Sequence, residues 1–339
     1  MKQNGMAIRR WLSDNPMFFA VIIIYTVMAL SIPYFFTGGN LLSILQQITI
    51  IGIAATGLTF VIISAGNDLS IGSNMTMSAI TAIYTMVKLG ETMPMNAAVV
   101  IGILAGMCVG ALIGLVNGIM VARVGCNPFI ITIVMSMLVE GIAIFLTKAS
   151  SIRAPGEFSA ISKGSVLGIP NLVVVLVIFY LVGHFILQKT TFGRKVYAVG
   201  ANANAARLVG INVSNMSLTL YVICGMTGAF AGIIMASRVG AATQAMGGYL
   251  FLDVMSAVII GGTSLFGGKG NMLGTFLGVM ILGMISNGFN LIGVEYNQTL
   301  IVKGVVILVA IMIEFTKEKF DSRKRIEISQ VFQSAVIKE

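Results

Sequence analysis

The stretch Thr190–Asn212, TTFGRKVYAVGANANAARLVGIN, carries the residue types and spacing best suited to a specific interaction. Asn202 has the type of a helix N-cap, and Gly210 the type that ends a helix, so Ala203 to Val209 predict a short helix between them. Seven residues do not hold a helix alone in water, where about 12–15 are already marginal. The segment must therefore dock on something. Ala205 and Ala206 are small enough for another backbone to come close, Leu208 and Ile211 offer apolar knobs, and Arg207 offers a forked donor. This is the chemistry of recognition, not of catalysis. The bland alternative is that the helix packs on the protein's own membrane face.

Reaction chemistry is not encoded elsewhere. There is no phosphate-binding P-loop, no His-rich metal set, and no nucleophile with a base at a useful spacing. The expectation is no catalytic residue, no metal and no cofactor bound by this chain. His184 is the single histidine and reads as interfacial. Cys108, Cys126 and Cys224 stand at unrelated spacings and suggest neither disulfides nor a metal site. Ionisable groups inside apolar runs are few, and each needs a reason, because one at mid-bilayer costs about 2.5–3.5 kcal/mol on insertion scales. Asp68, in the Gly66–Gly72 turn, and Asp253, at the start of a short apolar run, read as helix-capping groups. Glu140 lies deeper in its run and is the unusual case. Asn67, Asp68, Asn117, Asn287 and Asn290 are candidates to line a route for a hydroxyl-rich solute, with Gln298 nearby. Helix–helix hydrogen bonding, worth roughly 0.6 kcal/mol each, is an equally weighted reading of the neutral polar groups.

The elements that position these residues follow from composition. The 339 residues are 57% hydrophobic and 10% charged, against about 25% charged for ordinary globular domains, and the mean hydropathy is +0.97. The apolar runs are long and do not alternate, which selects helices over a barrel. They lie near 17–36, 44–64, 70–89, 96–121, 128–147, 170–187, 215–237, 252–265, 272–291 and 298–315. The fold expected is an all-α integral membrane protein of about ten transmembrane helices, with a re-entrant stretch allowed at Gly39–Thr49. Residues 1–16 form a basic interfacial helix containing Trp11, 17–315 the transmembrane domain with its longest inner loop at 188–214, and 316–339 a charged tail. Ten spans put both termini on one side. If that side is the cytoplasm, 15 of the 21 basic residues are inside: Lys2, Arg9, Arg10, Arg123, Lys189, Arg194, Lys195, Arg207, Lys269 and six in the tail. The net charge of +9 is thus mainly a topology signal, and its scatter over loops argues against nucleic-acid binding. The segments 66–79 and 267–280 echo each other weakly, each a Gly- and polar-rich turn before a small-residue run.

The 190–212 stretch resembles, almost residue for residue, the cytoplasmic coupling loop of ribose-type monosaccharide ABC importer permeases. The resemblance continues through FFTGGNLLSILQQ (35–47), GLTFVIISAGNDLSIGS (57–73), LDVMSAVIIGGTSLFGGKGNMLGT (252–275) and NGFNLIGVEYNQTLIVKGVVILVA (287–310), in order and covering most of the chain. It implies that two permeases, as a homodimer or a heterodimer, form a channel in the bacterial inner membrane. A cytoplasmic ATPase with two fused cassettes, holding ATP and Mg, drives them, and a periplasmic sugar-binding protein delivers the solute, with membrane lipid around the assembly. Carried over residue by residue, Gly200, Asn202, Ala205, Ala206, Arg207 and Gly210 would sit at the ATPase contact. The chain departs from the family's pattern at Asn67, Phe251 and Glu140, which leaves the sugar and the partner geometry open. The outside loops near Arg153, Glu157 and Arg238 would receive the binding protein. The alternative is an ion-coupled secondary transporter, for which Glu140 is the one candidate carboxylate near mid-membrane.

Overall fold

The structure is a computed structural model that describes residues 16–316, apart from 249, 296, 310, 313 and 314. The expected N-terminal helix and most of the charged tail lie outside the described residues. The described residues up to Gly293 form one compact unit, and those from Val294 on form a second.

Each of the ten apolar runs is helical, but they do not make ten equal spans. Among the described residues six helices are long and apolar enough to cross a membrane: α2 (Gly38–Ile63), α4 (Met95–Ile119, extended by a π turn at Met120–Val124), α5 (Pro128–Thr147), α7 (Asn171–Lys189), α10 (Val213–Val239) and α12 (Met272–Leu291). The helix α3 (Ile71–Gly90) has the length but buries Ser73, Asn74, Thr76 and Ser78, which lower its apolarity. The helices α1 (Pro16–Ser31) and α11 (Leu250–Ile260) are shorter. Eleven residues of α11 reach only about 16 Å, half of a roughly 30 Å hydrocarbon core. In the second unit, α13 (Asn297–Val309) is a short apolar helix.

The re-entrant stretch allowed at Gly39–Thr49 is absent. Thr37 accepts a hydrogen bond from the amide of Asn40 and caps α2, which then runs unbroken for 26 residues. No proline interrupts it, so the backbone groups between its first and last turns are paired within the helix.

The long helix α10 forms the centre, packing along α4, α2 and α3. Small residues set the spacing. A Cβ at Gly110 would lie 2.3 Å from the Cβ of Ala229, one at Gly114 2.3 Å from the carbonyl of Tyr221, and one at Gly225 2.3 Å from the carbonyl of Gly110. Backbones approach closely there, as small-residue packing allows in a membrane. The Asn74 amide locks the same three helices, donating to the carbonyls of Gly110 (3.3 Å) and Gly225 (3.2 Å). On the other flank, α12 packs on α2, α1 and α11, with the hydroxyls of Thr59 and Thr275 2.9 Å apart.

The two ends of this unit differ. At one end the 120–127, 190–214 and 261–271 connections meet: Arg123 donates to Asn215 at 2.6 Å, Ser214 to the Ala122 carbonyl at 2.6 Å, and the Gly268 amide to the Ile63 carbonyl at 2.8 Å. This end gathers Arg123, Lys189, Arg194, Lys195, Arg207 and Lys269, the inner-loop basic residues grouped by span counting. At the other end of α10 the strand β1 (Ile152–Arg153) pairs antiparallel with β4 (Ala241–Ala242). A short helix α6 (Gly156–Lys163) follows β1, then a hairpin of β2 (Ser165–Val166) and β3 (Ile169–Pro170).

Candidate functional site

The predicted docking helix is present as α9, Ala203–Leu208. The Asn202 side chain accepts from the amides of Asn204 and Ala205, both at 3.0 Å. At the far end the Ile211 amide donates to the Ala206 carbonyl and the Gly210 amide to the Arg207 carbonyl, both at 3.0 Å. That pair of bonds is a Schellman closure, and it needs a left-handed residue, which Gly210 supplies at φ +82°. Of the two alanines, Ala206 is buried against the protein itself and Ala205 faces outward. Arg207 is exposed, and so are Leu208 at 89% and Val209 at 76%, an apolar tip beside a guanidinium.

A second helix precedes it that the sequence reading did not resolve. The helix α8, Thr191–Ala201, starts at the Thr190 cap, whose hydroxyl accepts from the Gly193 amide at 3.2 Å. It buries Gly193, Val196, Val199 and Gly200. The three- and four-residue spacing of Phe192, Val196 and Val199 is its signal in the sequence, diluted by two glycines and two basic residues. Tyr197 donates to the Gly270 carbonyl at 2.7 Å, and burial raises its hydroxyl's pKa, so it stays protonated and available as a donor. Gly200 is the tightest point, since a Cβ there would lie 1.7 Å from the Ile63 carbonyl oxygen and 2.7 Å from the Gly268 amide. Gly267, at φ +82°, presses on Ala65. The 261–271 turn therefore meets the C-terminal end of α2, at Ile63 and Ala65, beneath α8.

The five candidate pathway residues do not form one lining. Asn67, Asp68 and Asn117 come together. Tyr221 of α10 clamps the Asn67 backbone, donating to its carbonyl at 2.8 Å and accepting from its amide at 3.3 Å. Asp68 is 3% exposed and accepts from the amide of Ser70 at 3.0 Å and its hydroxyl at 2.6 Å. Asn117 donates to that same hydroxyl at 2.8 Å. The capping expectation for Asp68 is thus adjusted: α3 begins at Ile71, and the carboxylate holds the turn before it rather than the first helical amides. Among the described residues Asn67 Oδ1 and Asn117 Oδ1 are buried without a hydrogen-bond partner, as is Asn287 Oδ1 away from this cluster. Asn287 is buried on α12 beside Gly288, which packs on Met28, Ile32 and Phe35, while Asn290 is exposed. His184 and Glu140 are both exposed on their helices.

A family model described as a branched-chain amino acid transport system permease component matches residues 40–311. The chain belongs to this permease family. Within it, the permease is 35% identical over 315 residues to the ribose import permease protein RbsC of Escherichia coli K12, covering 91% of this chain and 96% of that one. It is 31% identical to the L-arabinose ABC transporter permease AraH of Azospirillum brasilense (91% and 88% covered). It is 34% identical to the fructose import permease FrcC of Rhizobium meliloti (83% and 79% covered). No solved structure gives a significant match. With its six spanning-length helices, the permease is a multi-pass protein of the bacterial inner membrane.

Proposed function

We propose that this permease is the membrane subunit of an ATP-driven importer that carries a monosaccharide, ribose-like or a related sugar or polyol. The kinship with ribose, arabinose and fructose permeases supports a sugar over the branched-chain amino acid of the family's description. The single observation that carries the coupling is the α8–α9 element. Its tip offers Leu208, Val209 and Arg207 outward, while its root touches α2 and the 261–271 turn, backbone to backbone, at Gly200.

A push on α9 is transmitted because each joint is stiff. Asn202 and Gly210 close α9 at both ends, Ala206 seats it, and Gly200 leaves no side chain to absorb the displacement. The ATPase, a separate double-cassette polypeptide holding ATP and Mg, would grip Ala205, Arg207 and the apolar tip. The basic end of the unit is then cytoplasmic, in accord with the positive-inside rule. The opposite end presents Arg153, exposed on β1, Glu157 at the start of α6 and Arg238 at the end of α10 to a periplasmic sugar-binding protein. A second copy or a homologue completes the channel.

The test is co-purification with the double-cassette ATPase of the same gene cluster. Native permease retains the ATPase, whereas Arg207→Glu and Gly210→Trp lose it while remaining in the membrane. ATPase retention by both variants refutes the coupling assignment.

A further inference from the structure

Glu140 sits in α5, a helix of which only Thr132, Val139, Ala143 and Thr147 are buried. That buried stripe packs on α3 and α4. Directly opposite it stand Val134, Leu138 and Phe145, exposed at 55%, 56% and 80%, as a lipid-facing surface requires. Glu140 is on neither surface. Its position along the helix turn places it on the flank between them, one turn after the half-buried Ser136. Glu140 has no hydrogen-bond or ion-pair partner among the described residues, and neither has Ser136.

Glu140 lies well inside its helix. It lies about 18 Å from the start of α5 and about 10 Å from its end, counted at 1.5 Å per residue. Helical side chains lean toward the N-terminus, so its carboxylate is aimed at the middle of the span and at Ser136. An ionised group held there is tolerated where water or hydrogen-bond donors reach it. Lipid supplies none, and an apolar helix of a second chain supplies none either. Water and a hydroxyl-rich solute supply many, and a carboxylate accepts from two neighbouring hydroxyls at once.

We propose that the Ser136–Glu140 flank of α5 lines the aqueous route of the permease, and that Glu140 accepts hydrogen bonds from paired hydroxyls of the passing solute. This rests on the sugar-import reading above. It adds a contact on a helix separate from the Asn67–Asp68–Asn117 cluster.

The experiment uses the full-length permease in membrane vesicles, with Cys108→Ala and Cys126→Ala and with the fully buried Cys224 retained. Glu140→Cys and Leu138→Cys are each treated with a membrane-impermeant, negatively charged thiosulfonate. The Glu140→Cys thiol is expected to react at least tenfold faster than the Leu138→Cys thiol. Equal, slow rates at both positions overturn the proposal, as does Glu140→Cys reacting only with an apolar maleimide. Labelling needs neither sugar nor ATPase, so its outcome is separate from the fate of the import reading. In vesicles that take up ribose with ATP, Glu140→Leu is expected to lower uptake at least tenfold, with Glu140→Gln restoring most of it. Uptake by Glu140→Leu equal to native overturns the hydroxyl-acceptor role. Native uptake driven by a proton gradient without ATP refutes the import reading itself, whatever the labelling shows.

Discussion

Replacing Gly200 by alanine tests how the 190–212 element is joined to the membrane helices. The added Cβ would stand 1.7 Å from the Ile63 carbonyl oxygen, where ordinary carbon–oxygen contacts lie at about 3.3–3.6 Å. The two segments must therefore part by about 1.6 Å or more. Both obstructing atoms belong to the backbone, so no side chain can rotate away. The Gly268 amide, which donates to that same carbonyl at 2.8 Å, loses its bond. That loss costs about 1 kcal/mol, and forced overpacking adds about 1–3 kcal/mol. Alanine returns up to about 1 kcal/mol through helix propensity. The net destabilisation is about 1–4 kcal/mol. Gly141→Ala is the matched control, since its Cβ would meet nothing within 4 Å, and propensity alone makes it neutral or up to about 1 kcal/mol more stable. The two variants should then differ by about 2–4 kcal/mol. At about 2 °C per kcal/mol, the low end for larger domains, their melting midpoints in detergent, followed by size-exclusion fluorescence, should separate by about 4–8 °C. Midpoints within about 1 °C of each other would refute the close contact.

Tyr221→Phe removes the donor and the acceptor that clamp Asn67, which should cost about 1–3 kcal/mol. The same thermal assay reads it, and an unchanged midpoint would mean the clamp is not made. Asn202→Ala deletes the α9 cap at about 1 kcal/mol, so trypsin should cut after the exposed Arg207 about fivefold faster if local opening limits cleavage. A native rate of cutting would show that α9 is held without its cap. Asn117→Leu withdraws the donor that supports Ser70 beside Asp68 and should lower the midpoint by several degrees, whereas the exposed Asn290→Leu should not.

What the sequence disclosed depended on how local the cause was. All ten apolar runs were visible because lipid solubility needs nothing but side-chain type. The caps of α9 were visible because Asn202 and Gly210 act on their immediate neighbours. The helix α8 was hidden because its apolar face is three residues wide and is completed only by contact with Ile63 and Gly268. The grouping of Asp68 with Asn117, and the separation of Asn287 from both, depend on which helices pack together, and polarity within one run carries no trace of that. The two-residue pairing of β1 with β4 joins positions almost ninety residues apart and leaves no pattern in either stretch.

The two hydrogen bonds donated by Asn74 have a mechanical consequence. A single amide gripping the carbonyls of Gly110 and Gly225 ties α3, α4 and α10 together where glycines leave no compressible side chains between them. Those three helices are joined at their closest points and form a chassis, to which α5 is fastened along one narrow stripe only. If the importer alternates between outward and inward openings, the looser fastening of α5 makes it the helix best placed to carry the movement.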